Sequence, residues 1–78
     1  MKNTAYYNQQ IGALLKELRE KRGLTQVELA RKAGISRPRY QKYEDGTNTI
    51  TMEMFVILCK ALDVDPRDTL DLIDWSLL

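Results

Sequence analysis

Apolar positions recur along this chain at helical rather than strand spacing. Tyr7, Ile11, Leu14, Leu15 and Leu18 follow i, i+4, i+7, i+8 and i+11, while Lys16, Glu17, Glu20 and Lys21 take the opposite side. That is the stripe of an amphipathic helix. Asn3 or Thr4 suits its N-cap, so residues 1 to 5 are expected to form a loose arm. Glu17 and Lys21 make a favourable i,i+4 pair. Lys21 and Arg22 suit the negative end of the helix dipole, and Gly23 stops the helix. Gly12, inside it, costs on the order of 1 kcal/mol relative to alanine, and is compatible with close packing or with no role at all.

The second half repeats the pattern. Thr51 is a reasonable cap for a helix whose expected core stripe is Met52, Phe55, Leu58, Cys59 and Leu62, ending at Asp63-Val64. Met54, Ile57 and Ala61 form a second, outward stripe on the same helix. Asp65-Pro66 opens a last helix, with proline in the first turn, where its missing N–H costs nothing. Leu70, Ile73 and Leu77 share one face there, and Leu72, Trp75 and Leu78 lie off it.

Residues 24 to 44 read as two short helices with a tight joint. Thr25 caps the first, Leu29, Ala30 and Ala33 give it an apolar stripe, and Gly34 ends it. Ile35 is an apolar plug. Ser36 caps the next helix, Pro38 falls in its first turn, and Tyr40 and Tyr43 lie three apart on one face, with Arg37, Gln41 and Lys42 elsewhere. The turn Asp45-Gly46-Thr47-Asn48-Thr49 follows. This is the helix-turn-helix pattern, whose second helix lies in the major groove of DNA.

Composition narrows the chemistry. A chain of 78 residues makes one small domain, burying roughly 60% of its unfolded surface, so dimerisation would be a natural supplement. The single Cys59 excludes an internal disulfide, and with no histidine there is no zinc-site pattern and no Cys–His nucleophile pair. No catalytic constellation, cofactor motif or metal cluster is visible, so an enzyme is not expected. The longest apolar run is the six residues 54 to 59, far short of a membrane span. The N-terminus lacks the apolar core of a signal peptide. A cytoplasmic location is therefore expected.

The net charge of +1 conceals a strong asymmetry. Residues 16 to 42 carry nine positive and three negative side chains, a net of +6, and residues 44 to 78 carry eight negative and two positive, a net of −6. A charge run alone describes a solvated helix face. Its coincidence with the helix-turn-helix points instead to a polyanion partner.

Taken together, Thr25-Gln26-x-x-Leu29-Ala30, Gly34-Ile35-Ser36-Arg37 and Tyr43-Glu44-x-Gly46 resemble the Cro/C1-type (XRE-type) helix-turn-helix domains of phage repressors and small bacterial regulators. Leu18-Arg19-x-x-Arg22-Gly23-Leu24 and Leu58-Cys59-Lys60-Ala61-Leu62-Asp63-Val64 fit as well, so the likeness runs from about Ile11 to Leu70. It implies an all-α, five-helix domain of the lambda-repressor-like type over residues 1–78, with the helix-turn-helix at 25–44; the apolar positions off the core faces make the C-terminal helix and tail, 66–78, the expected dimer interface. Such a domain binds double-stranded DNA as a two-fold dimer.

The resemblance also assigns roles. Arg37, Pro38, Gln41 and Lys42 fall at base-contacting positions. Arginine and lysine suit guanine O6 and N7, glutamine suits adenine N6 and N7, and proline can only touch a thymine methyl. Phosphate contacts are expected from Thr25, Gln26, Ser36, Thr47 and Asn48, and from Arg39, which departs from the smaller or aromatic residue often found there. Gln26 has contact with the second helix of the motif as an alternative. Arg19 and Glu44 would form a partly buried ion pair. Tyr40 needs a hydroxyl partner if its ring is buried, and Cys59 fits an inert buried thiol. Met54, Ile57, Ala61, Leu72, Trp75 and Leu78 are the expected homodimer surface. The alternatives are a tail that folds back on its own domain, or an antitoxin or adaptor whose apolar C-terminal surface binds another protein.

Overall fold

Five α-helices with short joints build residues 2–76, the part described by the computed structural model: α1 (Lys2–Lys21), α2 (Gln26–Ala33), α3 (Arg37–Asp45), α4 (Met52–Ala61) and α5 (Pro66–Leu70). Thr25, Ser36, Thr51 and Asp65 cap α2 to α5, each side chain accepting a first-turn backbone N–H. At the joint of the helix-turn-helix, Gly34 has φ 74°. There its N–H donates to the Arg31 carbonyl (3.1 Å) and that of Ile35 to the Ala30 carbonyl (3.0 Å), which satisfies the last carbonyls of α2. Asp63 makes the equivalent turn after α4 at φ 59° without being glycine, a conformation aspartate tolerates better than most residues.

The core lies where α1, α2, α3 and α4 meet. Leu15, Leu29, Ala30, Tyr40, Tyr43, Leu58 and Leu62 are buried there, and Ile11, Leu18, Leu24 and Ile35 close over them. Cys59 is fully buried beneath α5, and burial pushes its thiol up. Thr69 is buried as well, its hydroxyl donating to the Asp65 carbonyl at 2.9 Å.

Three expectations are corrected. Residues 2 to 5 belong to α1 rather than to a loose arm. No glycine or proline interrupts them, and the following turn is held by tertiary contacts, which short helical segments need: Tyr6 Oη donates to Asp74 at 3.0 Å and the Tyr7 ring lies 5.5 Å from that of Trp75. On α4 Phe55, Leu58, Cys59 and Leu62 are buried as expected, but Met54 joins them and Met52 does not. Met54 is buried in the core with Leu58 and Leu62, one helical row at i, i+4 and i+8, whereas Met52, which opens the helix ahead of this row, is 65% exposed. Met54 therefore leaves the expected dimer surface. Lastly, α5 stops at Leu70 instead of continuing through Ile73. The chain turns back there, and the Trp75 indole N–H donates to the Leu70 carbonyl at 3.1 Å, capping the helix from outside. Ile73 is still buried. Leu77 and Leu78 lie outside the described residues.

Gly12 is buried where α1 crosses the end of α3, and a Cβ there would collide with the backbone carbonyls of Tyr43 and Glu44. A methyl group cannot be admitted without moving the helices apart, an overpacking cost of about 1–3 kcal/mol. Gly12→Ala is expected to lower the midpoint of thermal unfolding, followed by circular dichroism, by roughly 5–20 °C for a domain of this size. An unchanged or higher midpoint would show that the helices are not held at this distance.

Candidate nucleic-acid interface

The helix-turn-helix is fixed from behind by one carboxylate. Glu44, near the C-terminal end of α3, accepts from Arg19 of α1 through Nε (2.6 Å) and Nη2 (3.2 Å), a two-pronged ion pair. It also accepts from Gln26 Nε2 of α2 at 3.0 Å and from the Tyr40 hydroxyl one turn earlier on α3. Arg19 Nη1 goes on to the Leu24 carbonyl at 2.8 Å. The Arg19 and Glu44 side chains are only 11% and 3% exposed. Burial pushes the Glu44 carboxyl up, but the hydrogen bonds from Arg19, Tyr40 and Gln26 outweigh it and hold the group below the ordinary carboxylate range. Burial, followed by the bond to Glu44, drives the Tyr40 phenol well above its usual value. Tyr40, completely buried, thus has its hydroxyl partner.

The Gln26 amide is accordingly engaged with α3 through Glu44. Thr25 and Glu28 form a reciprocal cap. The Thr25 hydroxyl accepts from Glu28 N at 3.1 Å, and the Glu28 carboxylate, held below its usual range by that turn, accepts from Thr25 N at 2.9 Å. The Thr-x-x-Glu spacing is the signal that reveals this box in a sequence. Ser36 caps α3 by accepting from Arg39 N at 3.2 Å. After α3, the Thr47 hydroxyl and the Asn48 N–H both reach the Lys42 carbonyl at 3.3 Å, which fixes that turn beside the helix end.

Facing away from the core, α3 exposes Arg37, Pro38 and Lys42, with Gln41 half-buried beside them. Arg31, Lys32, Arg37 and Lys42 enter no ion pair among the described residues. Among the described residues, the charges of Arg37 and Lys42 on α3 are therefore not neutralised by a carboxylate. Arg39 is different: its Nε donates to Tyr43 Oη at 3.2 Å and its guanidinium carbon stands 5.9 Å from the Tyr43 ring centroid.

The remaining apolar candidates lie on the acidic half. Ile57, Leu72 and Trp75 are 37%, 63% and 45% exposed, and Ala61 is half-buried against the core. Val56, next to Ile57 in the chain, is 43% exposed as well and lies outside the expected set, because the run 54 to 59 is apolar on all sides. Trp75 is half-exposed and also folded onto α1 through Tyr7. Among the described residues no helix is long and apolar enough to cross a membrane.

A family model described as helix-turn-helix matches residues 15–68, more than half of the chain. The antitoxin PezA of Streptococcus pneumoniae is 43% identical over 58 residues, covering 74% of this chain but only 37% of its own length. Among solved structures, the clp gene regulator ClgR of Corynebacterium glutamicum superposes with a TM-score of 0.80 at 28% identity, over 83% of this chain and 84% of the other. The restriction–modification controller protein C.AhdI of Aeromonas hydrophila does so with a TM-score of 0.79 at 31% identity, over 82% and 97%.

The buried carboxylate has a measurable signature. Its pKa is depressed by folding, so its contribution is complete above the unfolded carboxylate pKa of about 4.3 and is lost as pH falls through the lower folded value. Arg19→Ala and Glu44→Gln are each expected to cost several kcal/mol at pH 7, by leaving a buried charge or donor set without its partner. The deficit of Glu44→Gln should shrink between about pH 5 and pH 3 as the wild-type carboxyl takes up its proton. Urea unfolding across that range checks both, and an Arg19→Ala protein with wild-type stability would sink the assignment.

Proposed function

The chain belongs to the helix-turn-helix family of the Cro/C1 (XRE) type, which are DNA-binding transcriptional regulators, and from that premise we propose a dimeric repressor that reads a near-palindromic operator. Helix α3 enters the major groove from its N-terminal end. Arg37 and Lys42 address guanine, Gln41 adenine, and Pro38 a thymine methyl. Phosphates are met by the first turn of α2 at Thr25 and the Gln26 main chain, by Ser36, and by the Thr47-Asn48 turn. The observation that carries this reading is the un-neutralised basic edge of α3 on a helix whose far end is tied to α1 and α2 through Glu44.

The same reading takes the protein as a homodimer. The exposed apolar residues Val56, Ile57, Leu72 and Trp75 all belong to the acidic half of the chain, away from the basic segment in sequence and charge. Exposed apolar surface of this kind marks interfaces. Two copies joined there would set their α3 helices about one DNA turn apart, roughly 34 Å, and DNA occupancy would rise steeply with protein concentration. The likeness to a pneumococcal antitoxin favours a second reading, in which this surface holds another protein and DNA binding is autoregulatory. Either function is exercised in the cytoplasm.

Fluorescence anisotropy on duplexes enriched by the wild-type protein from random DNA tests the first reading. A preference of about a thousandfold over scrambled duplex, falling steeply with salt, is expected. Arg37→Ala should remove about tenfold of that preference, the worth of one good base contact. Weak, sequence-blind binding would contradict it. Sedimentation tests the interface: the whole chain should be a dimer, and a chain lacking residues 74–78 a monomer or a weakened dimer. A monomeric whole chain would favour the partner-protein reading.

A further inference from the structure

Arg39 stands beside the exposed ridge of Pro38 and Lys42, yet it is the one side chain of that surface already bound within its own helix. Tyr43, one turn on, takes its Nε at 3.2 Å and lies beneath the guanidinium carbon at 5.9 Å from the ring centroid. Tyr43 itself is 6% exposed, so its ring is anchored in the core and does not follow the arginine. An arginine that meets phosphate from the first turn of a helix needs reach and rotamer freedom. Arg39 is instead drawn along α3, parallel to the ridge. With Nε occupied, it offers only the paired N–H groups of Nη1 and Nη2 in a fixed plane. That end-on fork matches the O6 and N7 edge of guanine, and holding it in advance lowers the ordering cost of binding.

We propose that Arg39 reads a guanine edge in the major groove and that Tyr43 is the positioning residue that aims it, a role distinct from the phosphate contact that the sequence analysis expects of Arg39. This rests on the DNA-reading function above and specifies the operator further: each half-site carries a guanine whose recognition depends on a core tyrosine. The pair is a local device, two residues spaced i,i+4 on the recognition helix.

Four variants of the full chain test it: Arg39→Ala, Arg39→Lys, Tyr43→Phe, and the double variant Arg39→Ala/Tyr43→Phe. Each is measured by anisotropy on the duplex enriched by the wild-type protein and on its single-base-pair substitutions, with thermal unfolding of each variant alongside. Arg39→Ala is expected to lose about tenfold in affinity for the enriched site and to become indifferent at one G·C pair per half-site. Arg39→Lys should behave alike, since a point charge cannot replace the fork. Tyr43→Phe keeps the ring and should weaken discrimination at that same pair several-fold, and the double variant should be no worse than Arg39→Ala. Recovery of affinity by Arg39→Lys across all sequences would assign Arg39 to phosphate and overturn the proposal. Additive losses in the double variant would overturn the positioning role of Tyr43. Failure of the wild-type chain to enrich any sequence would overturn the DNA-reading function itself, and this proposal with it.

Discussion

A buried carboxylate must be paired and hydrogen-bonded or it costs several kcal/mol, and in this fold the requirement sets the arrangement of three helices. Glu44 can satisfy its two oxygens only when α1 brings Arg19, α2 brings Gln26 and α3 presents Tyr40 on its own inner face. The bare backbone of Gly12 lets α1 approach the same end of α3. Charge pairing and close packing thus act at one place. They fix the C-terminal end of the recognition helix from behind, and its N-terminal half projects outward with Arg37 and Pro38 exposed.

The division of charge follows that architecture. Residues 16 to 42 supply the basic side chains, and the acidic residues after Glu44 fall on first turns, caps and joints of the second half, as with Glu53 in α4 and Asp68 in α5. Asp65 caps α5, and Asp74 holds Tyr6. An asymmetry of this kind is what orients a polyanion at long range. After α5 the chain folds back so that Asp74 and Trp75 meet Tyr6 and Tyr7 of α1, while half of Trp75 and most of Leu72 stay exposed. Self-packing and a further partner are therefore compatible at that surface.

Local chemistry made the helix boundaries legible. Thr25, Ser36, Thr51 and Asp65 cap the helices they precede because an N-cap depends on the residues immediately following it. Tertiary arrangements were less accessible. Nothing in the spacing of Arg19 and Glu44, 25 residues apart, announces a pair, and they came into view only through the family resemblance. That Met54 rather than Met52 completes the buried face of α4 was hidden by the uninterrupted apolar run, in which periodicity carries little information. The end of α5 depends on an indole from five residues later, which no helix-stop signal encodes. The Arg39–Tyr43 contact had a visible i,i+4 spacing, but both residues have stronger competing interpretations, one as a surface cation and the other as core.

The most direct test of the account is selection of bound sequences from a random pool of duplex DNA by the purified full chain, read by sequencing. A rigidly held α3 acting in a two-fold dimer should enrich one motif made of two inverted half-sites spaced by about one helical turn. Enrichment of no motif, or of an unrepeated half-site alone at saturating protein, would contradict the central claim that this domain reads DNA as a symmetric pair.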